Sequence, residues 1–151
     1  MSQTNANTKH RYRKSEAIRE LELLATDEAC RKHPGLDRKY IAPRTFRDDS
    51  ANELTKAIVK FIDLKGGFAS RVNSMGVYDR KLGKYRPGTQ KKGLADIMAT
   101  YKGKSLHVEV KYGRDRLSEV QKQTAENVTR SGGIYFVAKD FESFKNWFDQ
   151  I

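Results

Sequence analysis

Two carboxylates and a lysine follow a spacing that could organise hydrolysis of a phosphate ester. Asp96 lies in the stretch DIMATY, and Glu109 and Lys111 stand two apart in HVEVKYG. Side chains of a strand alternate between its two faces, so Val108 and Val110 would point to one face and Glu109 and Lys111 to the other. A carboxylate and an ammonium would then share one face of a strand whose other face is apolar.

A two-residue turn at Lys102-Gly103 predicts how this strand pairs with the one before it. The resulting register matches three pairs of apolar residues: Ala99 with Leu106, Ile97 with Val108, and Ala95 with Val110. It also places Asp96 directly opposite Glu109.

Two opposed carboxylates repel each other, by about 3–4 kcal/mol at an effective dielectric constant near 20. A divalent cation would offset this repulsion, and paired carboxylates with water in the remaining positions suit Mg²⁺. Lys111 lies one pleat beyond Glu109, within reach of a water or phosphate held there. The alternative is that Asp96 and Glu109 are solvated surface groups with Lys111 as their ion-pair partner.

Composition limits the partners and the class of protein. The 151 residues are 37% hydrophobic and carry a formal net charge of +11, which favours a polyanionic partner such as nucleic acid. A merely soluble basic protein is the alternative. The single Cys30 excludes a disulfide framework and a cysteine zinc site. The first fourteen residues lack the apolar core of a signal peptide, and no segment is long and apolar enough for a membrane helix, so we expect a cytoplasmic protein.

The pattern of elements predicts an α/β fold with a mixed sheet flanked by helices and an N-terminal helical extension. The extension is residues 1–45: a basic tail over 1–14 that we expect to be disordered, a helix over 15–32, and a linker. It would either pack on the main domain or serve dimerisation. The main domain, residues 46–151, is predicted to contain these elements: a helix capped by Ser50 with the stripe Leu54, Ala57, Ile58, Phe61 and Ile62; a strand over 68–73; a long mobile basic loop over 74–93; strands over 94–101 and 104–111; a helix over 117–130 capped by Ser118; a central apolar strand over 134–138; and a helix over 140–151 with Phe141, Phe144, Phe148 and Ile151 inward.

The motif of Asp96 followed by Glu109-Val110-Lys111 resembles the PD-(D/E)xK nuclease superfamily. The longer stretch EVKYGRDRLSEVQ, with GLADI before it and SGGIYFVA after it, is similar to the VRR-NUC family, the virus-type replication–repair nucleases. The resemblance covers about residues 50–140. Ala95 stands where the superfamily name has proline.

The resemblance implies a restriction-endonuclease-like fold and metal-dependent hydrolysis of DNA phosphodiesters. Asp96, Glu109 and the Val110 backbone carbonyl would hold Mg²⁺ or Mn²⁺. Lys111 would orient or deprotonate the attacking water and steady the charge that develops on phosphorus. Glu53 on the first domain helix and Gln121 on the second would complete the catalytic set.

Three of these positions have structural alternatives. Glu53 and Gln121 each lie three residues after a capping serine, and a capping box would explain either one. Gln121 nevertheless shares a helix face with Ala125 and Val128, where an amide needs a partner. His107 shares the face of Glu109 and could be a metal ligand or a DNA contact, although a solvated strand histidine is the simpler interpretation.

Basic residues on both sides of the proposed site predict contacts with the DNA backbone, and therefore recognition of DNA shape rather than sequence. The predicted contacts are Arg71, Arg86, Lys91, Lys92, Arg114 and Arg116.

Together these features predict a small Mg²⁺-dependent, structure-selective DNA endonuclease of a phage or other mobile element, acting on branched DNA such as four-way junctions or flaps. Symmetric cuts across a junction would require a homodimer, whereas a monomer fits nicking or flap cleavage. The alternative is a non-catalytic basic nucleic-acid-binding module, which would have no use for the opposed carboxylates.

Overall fold

A computed structural model describes residues 12–72, 77–86 and 91–151. The described helices are α1 (Glu16–Lys32), α2 (Ala51–Leu64), α3 (Glu119–Arg130) and α4 (Phe141–Phe148), with a short 3-10 helix at Arg38–Tyr40. The described strands are β1 (Phe68–Arg71), β2 (Val77–Asp79), β3 (Lys84–Arg86), β4 (Ile97–Tyr101), β5 (Lys104–Val110) and β6 (Ile134–Ala138).

The main sheet is mixed and has the order β1-β4-β5-β6. Strands β1, β4 and β5 are antiparallel neighbours, and β6 runs parallel to β5. The predicted register between β4 and β5 is confirmed where the two strands pair, because Ile97 pairs with Val108 and Ala99 pairs with Leu106. Strand β4 begins at Ile97 and not at residue 94, so the predicted pairs Ala95–Val110 and Asp96–Glu109 lie beyond the end of the ladder. The α/β class and the mixed sheet are likewise confirmed.

The core lies between one face of this sheet and helices α2 and α4. Every residue of the predicted α2 stripe is fully buried. The Phe61 ring meets Phe141 at 5.4 Å and Phe148 at 5.5 Å between ring centroids, both edge to face. Burial of each such side chain contributes about 1.5–3 kcal/mol. The caps predicted for these helices form, since Ser50 accepts from the Glu53 N–H and Asp140 from the Ser143 N–H.

Helix α1 packs on the same core. Ile18 and Leu21 are fully buried and belong to the cluster formed by α2, α4 and the sheet. Glu28 of α1 forms ion pairs with Lys60 of α2 and, at 2.9 Å, with Lys32. Of the two roles considered for the extension, packing on the main domain is the one that the structure shows.

The tail is ordered at its end, where disorder was expected. The Tyr12 hydroxyl donates to Asp48 at 2.7 Å, and the Lys14 ammonium pairs with Glu22 at 2.5 Å. The rest of the predicted tail, residues 1–11, lies outside the described residues.

Strand β6 is at the edge of the sheet, so the prediction of a central strand is wrong. Its apolar sequence, IYFVA, has a different cause: both of its faces are covered, one by α4 and the other by α3. Phe136 stacks on Trp147 of α4, with ring centroids 4.2 Å apart.

The segment predicted to be a mobile basic loop contains a hairpin. Strands β2 and β3 pair with each other, Tyr78 meets Tyr85 with ring centroids 5.1 Å apart, and Asp79 pairs with Arg86 at 2.5 Å. The remainder of this prediction, residues 74–76 and 87–90, lies outside the described residues, as does position 73 of the predicted first strand.

None of the helices in the described ranges is both long and apolar enough to cross a membrane.

The link between α1 and α2 predicts a pH-dependent change in stability. Hydrogen bonds from Lys60 and then Lys32 lower the pKa of Glu28 from 4.5 to about 2. A depressed folded-state pKa contributes stability above pH 4.5 that is lost as the pH falls toward 2. Glu28→Gln should therefore lower the free energy of unfolding by about 1 kcal/mol at pH 7, and by less at pH 3. Urea denaturation at both pH values measures the difference.

The matched control is Glu16→Gln, at an exposed carboxylate near the start of α1. It should change stability little at either pH. An equal loss for Glu28→Gln at pH 3 and pH 7 would contradict the ionic link between the helices.

Candidate active site

Several chain segments meet at the end of the sheet where β5 stops and β4 starts. The Val72 N–H donates to the Asp96 carbonyl at 2.8 Å, and the Lys111 N–H donates to the Ala138 carbonyl at 2.8 Å. Asp96, one residue before β4, accepts a hydrogen bond from the Val110 N–H through Oδ2 at 2.9 Å. The ends of β1, β5 and β6 and the start of β4 are thereby held together.

Gly93 brings the segment before Asp96 close to α3. Its φ of 77° lies in the left-handed region, and a Cβ at this position would be 2.7 Å from Val120 Cγ1. Glycine satisfies both the backbone angle and the close approach.

Glu109 is a nearly fully buried carboxylate, with 2% of its surface exposed. Oε1 lies 3.0 Å from the Lys111 Nζ and accepts from the Gln121 Nε2 at 2.5 Å. Oε2 is buried and has no hydrogen-bond partner among the described residues. The surface-group interpretation is therefore wrong about the exposure of Glu109, whereas the ion pair with Lys111 that it included is present.

Gln121 forms the predicted capping box and also contacts the buried carboxylate. Its Oε1 accepts from the Ser118 N–H at 3.0 Å, which closes the capping box of α3, while its Nε2 donates to Glu109. An amide can do this because it carries an acceptor and a donor on the same group. The start of α3 is thus tied directly to the buried carboxylate.

Burial is the main reason that the pKa of Glu109 is raised above 4.5. The hydrogen bond from Lys111 opposes the shift, and the nearby charge of Asp96 adds to it. The hydrogen bond from the Val110 N–H holds the Asp96 carboxylate next to the residue that follows Glu109, so the two acidic side chains are near each other at this end of the sheet.

Tyr135 is a residue that the sequence analysis missed. Its hydroxyl is buried without a hydrogen-bond partner in the described part of the chain. Burial, followed by the charges of Glu109 and Asp96, raises its pKa to about 12. A phenol inside the otherwise apolar strand IYFVA was the available signal. Tyr135 pairs with His107 in the parallel ladder between β5 and β6, so its side chain lies on the same face of the sheet as Glu109.

His107 lies two residues before Glu109 on the same face. Its Nε2 is 3.3 Å from the Ser105 Oγ, and its Nδ1 is buried without a partner among the described residues. Burial lowers its pKa, which favours the neutral imidazole.

The carboxylates fit a hard divalent cation that keeps part of its water. Within residues 12–72, 77–86 and 91–151, no group of three or more histidine, cysteine, aspartate or glutamate side chains is placed to hold a metal ion. Two carboxylates, one with a buried oxygen lacking a partner, match Mg²⁺ or Mn²⁺ if a backbone carbonyl and water complete the shell.

Glu53 is engaged elsewhere. Its carboxylate pairs with Lys56 at 2.7 Å, and its N–H binds the Ser50 cap. No hydrogen bond or ion pair among the described residues joins it to Asp96 or Glu109.

The predicted DNA contacts are distributed over several surfaces. Arg71 donates to Asn52 at 2.6 Å, and Arg86 is held by Asp79. Lys91 and Lys92 line a cleft of about 320 Å³ together with His107. Arg114 is exposed, and Arg116 lines a second cleft of about 510 Å³ that includes Lys111.

Comparison of the chain with protein-family models, with curated proteins and with solved structures gave no match.

The Glu109–Lys111 pair predicts strongly non-additive effects on stability. Lys111→Met leaves a buried carboxylate without its cation and should lower the free energy of unfolding at pH 7 by about 3 kcal/mol. Adding Glu109→Gln removes the unpaired charge while keeping the shape of the side chain, so the double variant should recover most of the loss. Urea denaturation of both single variants and the double variant measures this coupling. Additive losses would show that the two groups do not depend on each other.

Tyr135→Phe should stabilise the metal-free protein. The change removes a buried hydroxyl that lacks a protein partner and keeps the ring, so we expect a gain of about 1 kcal/mol. Thermal and urea denaturation in chelator measure it, with the exposed Tyr85→Phe as control. A loss of stability confined to position 135 would mean that the hydroxyl is bonded in the folded protein.

Proposed function

We propose that this protein is a metal-dependent, structure-selective DNA endonuclease with a restriction-endonuclease-like fold, of the VRR-NUC kind. The observation that carries the proposal is the buried Glu109 carboxylate, held by Lys111 and Gln121 beside Asp96. A structural ion pair would not require a second carboxylate close enough to repel the first. Perturbed, mutually coupled ionisable groups of this kind are typical of catalytic sites.

In this proposal Asp96, Glu109 and the Val110 carbonyl hold Mg²⁺ or Mn²⁺. When bound, the cation supplies a hydroxide nucleophile near neutral pH and neutralises charge on the phosphate. Gln121 fixes the orientation of the Glu109 carboxylate through its hydrogen bond to Oε1. The Lys111 ammonium favours the ionised form of Glu109 and so opposes the effect of burial, and it can donate a further hydrogen bond to the attacking water or to a phosphate oxygen.

The predicted role of Glu53 stays a prediction and is not used in this mechanism, because no hydrogen bond or ion pair among the described residues joins it to Asp96 or Glu109. Tyr135 takes its place as the additional polar group near the carboxylates.

The net charge of +11 supports DNA as the partner, and the expected compartment is the cytoplasm. Branched DNA remains the proposed substrate class. A homodimer is part of the proposal only for paired cuts across a junction, since two sites must then be related by a two-fold axis.

The hairpin favours a second candidate, a non-catalytic nucleic-acid-binding module. Tyr78 and Tyr85 are exposed beside Lys84 and Arg86, a combination of aromatic and basic groups suited to single-stranded nucleic acid. This function would use the charge and the hairpin but not the buried carboxylate.

Glu109→Gln should abolish DNA cleavage while leaving DNA binding in place. We expect a fall of at least about 100-fold in the rate of cutting, because the substitution removes a charge at the reacting centre without changing its shape. End-labelled linear duplex, flap and four-way junction DNA, each incubated with Mg²⁺, Mn²⁺ or chelator, provide the measurement.

Glu142→Gln, at an exposed carboxylate of α4, is the matched control and should cut like the wild type. Cleavage by the wild type that requires Mg²⁺ or Mn²⁺ and is lost only in Glu109→Gln supports the nuclease. Binding without cleavage of any substrate under all metal conditions would leave the binding module as the function.

A further inference from the structure

A cleft of about 510 Å³ opens at the ends of β5 and β6, on the side where α3 begins. Lys111 follows β5, Lys139 follows β6, and the backbone bond from Lys111 to Ala138 fixes these two strand ends side by side. Arg116 and Lys122, just before and within the first turns of α3, line the facing wall.

The charges of this cleft are strongly unbalanced. Among the described residues, four cationic side chains line it, from Lys111, Arg116, Lys122 and Lys139, against the single carboxylate of Asp115. Lys122 pairs with the highly exposed Glu119 at 2.7 Å. Arg116 and Lys139 form no ion pair with any described residue. Cations drawn from four separate segments create a positive concave surface, the kind of surface that concentrates phosphate groups.

The apolar part of the lining is small. It consists of the partly buried side chains of Leu117 and Val137, and no aromatic side chain lines the cleft in the part of the chain that the structure describes. A site that selects a nucleobase usually provides a stacking surface, whereas contacts with the backbone need cations alone. The cleft is therefore suited to phosphates and not to bases.

Lys111 connects the cleft with the buried carboxylate. Its ammonium lies 3.0 Å from Glu109 Oε1, its side chain is only 14% exposed, and the same residue lines the cleft. A phosphate chain lying along the cleft would therefore approach Asp96 and Glu109 past the Lys111 ammonium.

We propose that this cleft binds the sugar–phosphate backbone of DNA next to the phosphate that is cut. That a phosphate next to the cleft is cut rests on the proposed nuclease function. Binding of the DNA backbone in the cleft does not depend on cleavage. This cleft adds Lys122 and Lys139 to the DNA-contacting residues, and it places the bound strand along the start of α3.

The test compares two triple variants that remove the same charge. Arg116→Gln, Lys122→Gln and Lys139→Gln are combined in the cleft variant. Lys102→Gln, Lys104→Gln and Arg130→Gln are combined in the control, and these residues lie at the opposite end of the sheet and of α3. Binding of fluorescent duplex and four-way-junction DNA is measured in chelator over a range of salt concentrations.

The cleft variant should bind at least about tenfold more weakly near 100 mM salt, and its plot of log affinity against log salt should be shallower by about 2–3, because three phosphate contacts are lost. The control should stay within about twofold of the wild type at the same salt. Equal losses and equal salt slopes in the two variants would overturn the proposal.

Two further measurements separate the remaining outcomes. Protection of Lys122 and Lys139 from acetylation by bound DNA, without protection of Lys104, supports the cleft, whereas uniform labelling overturns it. Pyrophosphate or a mononucleotide could also protect Lys122 and Lys139 from acetylation. Full protection by either compound at micromolar concentration would make the cleft a site for small phosphates and overturn the backbone assignment. The wild type could also fail to cut DNA with any metal while the cleft variant still binds DNA more weakly than the control. That result would refute the nuclease function and would still support the cleft as a DNA-binding site.

Discussion

A carboxylate with 2% of its surface exposed is costly unless it is paired, and Glu109 is paired with Lys111 and bonded to Gln121. Much of the local structure follows from this requirement. Lys111 must come two residues after Glu109 so that both side chains reach the same face of the chain, and α3 must begin where Gln121 can reach Oε1. The capping box of α3 and the neutralisation of Glu109 are therefore parts of one hydrogen-bonded unit.

The rest of the fold holds this unit at one end of the sheet. The large aromatic core between α2, α4 and the opposite sheet face fixes β4 and β5, and the Val110 N–H anchors the Asp96 carboxylate at the junction of those strands. Helix α3 has no fully buried residue, and its start is tied to the site by the Gln121–Glu109 hydrogen bond and by the close approach of Gly93 to Val120. The proposed site and the cleft next to it share Lys111, which pairs with Glu109 and lines the cleft.

The spacing of apolar residues was enough to predict elements that bury one face, such as the α2 stripe and the β4–β5 register. A wrong register would expose several apolar side chains at once, so such elements are strongly determined by the sequence. The spacing failed for β6, since an apolar strand at a covered edge has the same composition as a central one. The β2–β3 hairpin was missed because its pairing depends on contacts within a basic segment, between Tyr78 and Tyr85 and between Asp79 and Arg86. Tyr135 is brought to the site by the parallel pairing of β5 with β6, a long-range contact, and the only local signal was a phenol within an apolar strand.

Calorimetric titration with Mn²⁺ in the presence of an uncleavable phosphorothioate DNA tests the central claim most directly. If Asp96 and Glu109 together hold a cation beside Lys111, the wild type should take up Mn²⁺, and both Asp96→Asn and Glu109→Gln should lose that uptake while Glu142→Gln retains it. Uptake that is the same in all four proteins, or absent from the wild type with DNA bound, would contradict the account.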